Sequence, residues 1–297
     1  MGKNKGYSLL ELLVVIGLIS ILGVGIMSAY YGLLKSERKE RLLIKSEADV
    51  QALVGQLKKI FSAIGYGVPV DYFSQSISYD GTALRFLSTF VRQHKYAGCW
   101  WVCGMSNFTS TAKTRFANDC PASPSDIPSS DRWFLVMNSY RSTKSLGTNN
   151  VTCETQGDVI VYLGKKESSN ANFPADFLTR IYLDSTNLPA ECAPDTKTVY
   201  IQVGSDPSQP LVSCVGDFRI RYIDKKGNYW DNLELSSLWG IRLCLFIQIG
   251  GRRESQEDLP QYSEKCGNFT FNDTWKYYRW KIIEEDIPLY NLINWVQ

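Results

Sequence analysis

Histidine is nearly missing: His94 is the only one in 297 residues. A Ser–His–Asp triad or a His-paired cysteine would have to use it, yet it lies in the polar stretch "RQHKYAG", where a surface position is expected. Glycine-rich phosphate loops are also lacking, since "GVGI" (23–26) sits inside an apolar run with no Lys-Ser/Thr after it. A strong field of either sign is absent too, with 32 basic residues against 30 acidic ones and a net charge of +2. Without Lys3 and Lys5 the basic count falls to 30, level with the acidic one. Near-neutrality gives no support to nucleic-acid binding. No cofactor is expected, and an enzyme is not. At 44% hydrophobic and 21% charged, the chain is far from the composition of a disordered one.

Cysteine is absent from the first 98 residues and then occurs eight times: Cys99, Cys103, Cys120, Cys153, Cys192, Cys214, Cys244 and Cys266. An even number in an exported chain favours disulfides. The pairing is open, because sequence alone does not fix connectivity. Zinc is the rival, and it fares poorly. Cys99-Trp-Trp-Val-Cys103 is the only close pair, and structural zinc sites need a second pair or histidines. Trp100-Trp101 could offer an aromatic contact to a ligand, but at least one tryptophan is expected to pack on a disulfide.

What is present in strength is an apolar run. From Leu12 to Leu34 no charge occurs, enough helix to cross a hydrocarbon layer of ~30 Å. The run exceeds the apolar core of a secretory signal, and no A-x-A-like exit follows it. Glu11 stands at its entrance. A helix starting near Tyr7 would bury this carboxylate about 6 Å deep at 1.5 Å per residue, and such a group is costly unless paired. A cut between Gly6 and Tyr7 would create an amine four residues before Glu11. In a stack of like helices the amine of one subunit can meet Glu11 of the next. At about 4 Å and an effective dielectric of 20 the attraction is roughly 4 kcal/mol. Only one register achieves it, so Glu11 is expected to set subunit alignment.

"KGYSLLELLVVIGLISIL" resembles the class III signal of type IV pilins and type II secretion pseudopilins, in which a short basic leader, glycine and an aromatic precede an apolar segment with glutamate at mature position five. Here these are residues 1–6, Tyr7 in place of the usual Phe, and Glu11. The resemblance implies cleavage after Gly6 by a prepilin peptidase and methylation of the new amine. It also implies inner-membrane insertion through residues 12–34 and contact with other pilin subunits and an assembly platform. The Asn-x-Thr sequons at Asn107, Asn150, Asn268 and Asn272 then carry little weight, since the signal is bacterial. One feature points the other way. "KSERKERLLIK" (35–45) is more basic than the leader, and a positive-inside count would keep the body in the cytoplasm. The interleaved Glu37, Glu40 and Glu47 can pair with those cations along the helix, and the cysteines favour an oxidising compartment.

Beyond Leu34, Leu43, Val50, Leu53, Leu57, Ile60, Phe61 and Ile64 recur at helical spacing, until "GYGVPV" (65–70) stops the helix. Gly17, Gly23, Gly25 and Gly32 lie in its apolar half, where close packing with other helices could use them. Later segments read as strands: "DRWFLVMNSY", "GDVIVYLG", "KTVYIQVG", "GDFRIRYID", "GIRLCLFIQI" and "YYRWKIIEEDIPL". Residues 224–228 read as a hairpin turn, too short for a twelve-residue calcium loop. Stretches 121–131 and 185–197 are loops by composition. Glu284-Glu285-Asp286 is expected on a solvated face. The tail from "VGDFRIRYID" to "DIPLYNL" resembles the C-terminal sheet of PilW- and GspJ-type minor subunits, with Tyr290-Asn291 in the last conserved place of that family.

The expected fold is α+β and pilin-like: a leader (1–6), a long helix (7–64) and a largely antiparallel, disulfide-bonded body (65–297). The expected role is a minor type IV pilin, first in the inner membrane with a periplasmic body, then in the extracellular filament. Size favours a minor over a major subunit. A GspJ-like pseudopilin of type II secretion, or a filament-displayed adhesin or DNA-uptake tip, is the alternative.

Overall fold

A computed structural model describes residues 9–90, 96, 98–104, 108–111, 120–147, 153–164, 173–232, 234–269 and 271–293. The first element is a helix, α1, over Leu9–Ser62. The chain divides into two compact units, Met1–Gln51 and Ala52–Gln297. In the second unit, α1 buries Leu53, Val54, Leu57 and Phe61. Leu53, Leu57 and Phe61 belong to the apolar stripe that the spacing predicts; Val54 joins them. The helix stops where expected, two residues before Ile64, in turns with Gly65 and Gly67 at positive φ.

Among the described residues thirteen strands follow: β1 (Ile77–Tyr79), β2 (Ala83–Leu87), β3 (Trp100–Cys103), β4 (Phe108–Thr111), β5 (Phe134–Met137), β6 (Thr143–Gly147), β7 (Val159–Tyr162), β8 (Leu178–Asp184), β9 (Lys197–Val203), β10 (Gln209–Asp224), β11 (Tyr229–Trp230), β12 (Leu238–Gln248) and β13 (Trp280–Pro288). They form an eight-stranded sheet in the order β1-β2-β8-β9-β10-β12-β13, with β11 also paired to β10, and a five-stranded sheet in the order β4-β3-β7-β5-β6. Every described pairing is antiparallel. The mixed α+β, largely antiparallel architecture is the expected one.

The two-sheet arrangement was not expected. Leu87 at the end of β2 pairs with Leu178 at the start of β8, so the five-stranded sheet is an insertion between two neighbouring strands of the larger one. Both its faces are covered. Leu135, Val161 and Met137 cluster with Val68, Leu87 and Trp133. The alternate residues Phe134, Ile160 and Tyr162 cluster with Trp101, Cys99 and Cys103. This is strand alternation, with period two.

β12 is buried along nearly its whole length, because a loop segment covers the second face of the sheet. Phe246 stacks on Trp280 at 4.6 Å and on Trp275 at 5.8 Å, inside a cluster with Tyr262, Phe269 and Phe271. Gly216 in β10 is required there. A Cβ at this position would lie 2.7 Å from the Trp275 ring.

A one-turn helix, α2 (Tyr290–Ile293), closes the described chain. The Asn291 side-chain amide donates to the carbonyls of Ser62 and Ile64 at 2.8 and 3.1 Å. Helix ends leave carbonyls without intrahelical partners, and Asn291 satisfies that of Ser62 together with that of Ile64 in the turn just past the helix. Lys58 meets Glu285 of β13 at 2.9 Å.

Candidate functional site at the N-terminal segment

The processing residues Gly6 and Tyr7 lie outside the described residues, as does His94. Glu11 lies in the first turn of α1, two residues after its start at Leu9. From Leu13 to Leu34, 22 residues of helix are apolar enough to cross a membrane by length and composition. At 1.5 Å per residue they extend about 33 Å, matching a hydrocarbon layer of ~30 Å. None of this span is buried within the chain. Leu13, Ile19, Leu22, Val24 and Ile26 are all exposed, and covering each such side chain is worth about 1.5–3 kcal/mol. Over the whole span the sum reaches tens of kcal/mol, so lipid or other apolar helices must cover it. Ser20 poses no obstacle, as its hydroxyl donates to the Ile16 carbonyl at 2.8 Å. Among the described residues no atom beyond their own helix lies within 4 Å of a Cβ built at Gly17, Gly23, Gly25 or Gly32.

The basic stretch after the span pairs as the sequence suggests at Arg41, whose guanidinium meets Glu37 one turn earlier at 2.7 Å. Exposure keeps the pair to a few tenths of a kcal/mol.

All eight cysteines are bridged: Cys99–Cys120, Cys103–Cys153, Cys192–Cys214 and Cys244–Cys266. The close pair Cys99 and Cys103 is thus not joined to itself. Trp101, between them, is fully buried in their cluster and donates its indole N–H to the Pro121 carbonyl at 3.0 Å. Trp100 points to the other face of β3 and packs against the opposite cluster. Among the described residues no group of three or more His, Cys, Asp or Glu could hold a metal ion.

The acidic run on β13 is only in part the solvated face that the sequence suggests: Asp286 is exposed, whereas Glu284 is mostly covered. Arg242 on β12, largely buried, donates to Glu284 at 2.6 Å and to Asp286 at 2.7 Å. Glu284 also accepts the Ser263 amide and hydroxyl at 2.7 and 2.6 Å. Burial would raise the Glu284 pKa, but the Ser263 and Arg242 hydrogen bonds outweigh it and hold the carboxyl below its ordinary value. The signal was available: one arginine in the apolar strand "GIRLCLF", next to an acid-rich strand, marks a cross-strand ion pair.

Residues 224–228 form the expected turn, with Asp224 accepting the Lys226 and Asn228 amides at 2.8 and 2.9 Å. Asn272 caps the short helix Asp273–Tyr277 and donates to Asp195 at 2.6 Å. Asn107 and Asn150 lie outside the described residues.

The body also carries a polar groove of about 780 Å3, lined by Tyr79, Asp217, Arg219, Arg221, Asp231 and Asn268 among others. Its charges are engaged with one another. Arg219 meets Asp217 at 2.8 Å and the Asn268 carbonyl at 2.8 Å, and Arg221 meets Asp231 at 3.1 Å. Burial pushes the Tyr79 hydroxyl up to about 12, and the Asp217 carboxyl is raised for the same reason. The Tyr79 hydroxyl donates to the Phe218 carbonyl of β10 at 3.2 Å, which ties the edge hairpin to the strand.

Comparison with known proteins points to the N-terminus. No curated protein and no solved structure matches the chain. The family described as the prokaryotic N-terminal methylation motif matches residues 1–27. The chain therefore carries, running into its apolar helix and ahead of a disulfide-bonded antiparallel body, the class III signal of type IV pilins and pseudopilins.

Proposed function

We propose that this chain is a minor pilin, a structural rather than catalytic subunit of a type IV pilus. A prepilin peptidase cuts it after Gly6 and methylates the amine of Tyr7. Residues 12–34 hold it in the inner membrane with the body in the periplasm. An assembly platform then moves it into the filament, where the apolar helix packs against those of other pilins. The observation that carries this reading is a helix that exposes its membrane-length span, Leu13–Leu34, where the methylation motif of residues 1–27 runs into it. Four disulfides in the body support an oxidising location.

Mass spectrometry of sheared surface filaments tests processing and location together. The expected species begins at Tyr7 and carries one methyl group. An intact Met1 terminus in assembled material overturns the cleavage step, and absence from filaments overturns the pilus assignment in favour of a pseudopilin. Glu11→Ala is expected to insert normally yet enter filaments at least tenfold less, given an intersubunit attraction of roughly 4 kcal/mol. Unchanged incorporation would remove Glu11 from subunit alignment.

A further inference from the structure

The order of the cysteines along the chain carries a consequence for how the body is made. Two bridges, Cys192–Cys214 and Cys244–Cys266, join cysteines adjacent in sequence order. The other two cross: Cys120 lies inside the Cys103–Cys153 loop and Cys103 inside the Cys99–Cys120 loop. A chain that emerges N-terminus first into an oxidising space presents Cys99 and Cys103 together before Cys120 appears. Their sequence separation is four, against 21 for the native pair Cys99 and Cys120. With closure probability falling as the three-halves power of loop length, the local bridge forms roughly tenfold more readily.

That local bridge is incompatible with the fold. Cys99, Trp101 and Cys103 share one face of β3 and its lead-in, so an extended chain sets the two cysteines about 13 Å apart at 3.3 Å per residue. A disulfide requires Cα atoms within about 7 Å. A Cys99–Cys103 bridge therefore blocks β3, which pairs with both β4 and β7. The native bridges meet the requirement, with Cα separations of 5.6 and 5.3 Å.

We propose that the inserted sheet reaches its native pairing by disulfide exchange, and that this protein is a substrate of a thiol–disulfide isomerase. The in-cell part of this inference rests on the outward placement of the body proposed above; the exchange itself does not. A thiolate of the isomerase attacks Sγ of Cys103 in the Cys99–Cys103 bond, forms a mixed disulfide and frees the Cys99 thiolate. Cys99 attacks Sγ of Cys120 in a Cys120–Cys153 bond and frees the Cys153 thiolate. Cys153 then attacks Cys103 in the mixed disulfide and releases the isomerase thiolate. Two disulfides enter and two leave, no electrons are consumed, and the isomerase thiol is regenerated.

Refolding of the reduced full-length chain in detergent tests this, with diamide as oxidant in one arm and a glutathione redox buffer plus isomerase in the other. Disulfide-linked peptides are mapped by mass spectrometry after alkylation. With oxidant alone, a Cys99–Cys103 peptide is expected, with native Cys99–Cys120 in at most about one third of chains, the share that three connectivities of four cysteines would give at random. The isomerase arm should raise that share about threefold. The double variants Cys103→Ser/Cys153→Ser and Cys99→Ser/Cys120→Ser each remove the crossing, so whichever of them folds should refold equally in both arms. Cys192→Ser/Cys214→Ser keeps the crossing and should keep the dependence. Equal native yield of the wild type in both arms, or no Cys99–Cys103 peptide with oxidant alone, overturns the proposal.

Discussion

Replacing Arg242 by alanine removes the one cation between Glu284 and Asp286 and leaves Glu284, with a side chain only 16% exposed, facing a second carboxylate. Breaking a buried pair costs about 3–5 kcal/mol, mostly because the surviving charge is left uncompensated. Partial exposure of Asp286 places the expected loss near the lower end, about 3 kcal/mol. For a body of this size that corresponds to a fall in Tm of about 6–12 °C, measurable by near-ultraviolet circular dichroism of the full-length chain in detergent. The pH dependence gives an independent check. Because the folded state holds the Glu284 carboxyl below its ordinary value, its contribution is present above the unfolded-state pKa of about 4.3. It is lost as pH falls through the folded-state value. The gap in Tm between wild type and Arg242→Ala should therefore narrow as pH drops below about 4. An Arg242→Met/Glu284→Gln/Asp286→Asn triple variant, which removes all three charges at similar volume, should lie within about 1–2 kcal/mol of wild type. A loss below 1 kcal/mol for Arg242→Ala, or a gap that does not narrow in acid, would refute the assignment of Arg242 as a structural cation.

Asn291→Ala should cost about 2 kcal/mol by chemical denaturation, because two helix-end carbonyls lose their donor in a partly buried place. Asn291→Asp should be worse still, since a carboxylate oxygen would then face those carbonyls. Gly65→Ala should lower the unfolding free energy by at least about 1–2 kcal/mol: φ is +75° there, and the new Cβ would lie 2.2 Å from Leu292 Cδ2. Stability equal to wild type would mean that this turn can rearrange. Phe246→Ala should cost about 3–5 kcal/mol and abolish the near-ultraviolet signal of the stacked Trp275 and Trp280; an unchanged spectrum would refute the aromatic cluster as a packed unit.

The helix and the strands of the C-terminal half were legible because each carries a clean local period. The Leu53–Leu57–Phe61 stripe keeps helical spacing, and Phe218–Ile220–Tyr222 alternate as a half-buried strand must. The inserted sheet was less so. β3 has four residues, two of them tryptophans that face opposite clusters, and no periodic signal survives in so short a run. Its place in the fold depends on the pairing of Leu87 with Leu178, a contact between distant parts of the chain that no local pattern encodes. Disulfide partners were unreadable for the same reason: the bridges of the inserted sheet join cysteines 21 and 50 positions apart, and strand geometry keeps the close pair Cys99 and Cys103 from each other. Glu284 looked solvent-facing because charge in a strand is ordinarily surface charge, and Arg242 was needed to reverse that.

Residues 88–177 leave the large sheet at β2 and return to it at the neighbouring strand β8, so both ends of this segment meet side by side. A module attached in that way can be exchanged, lengthened or removed without altering the order of the remaining strands or the helix that precedes them. The stretch that matches the methylation motif, residues 1–27, lies wholly outside this insertion. One assembly apparatus could then accept subunits that present quite different surfaces to the outside world.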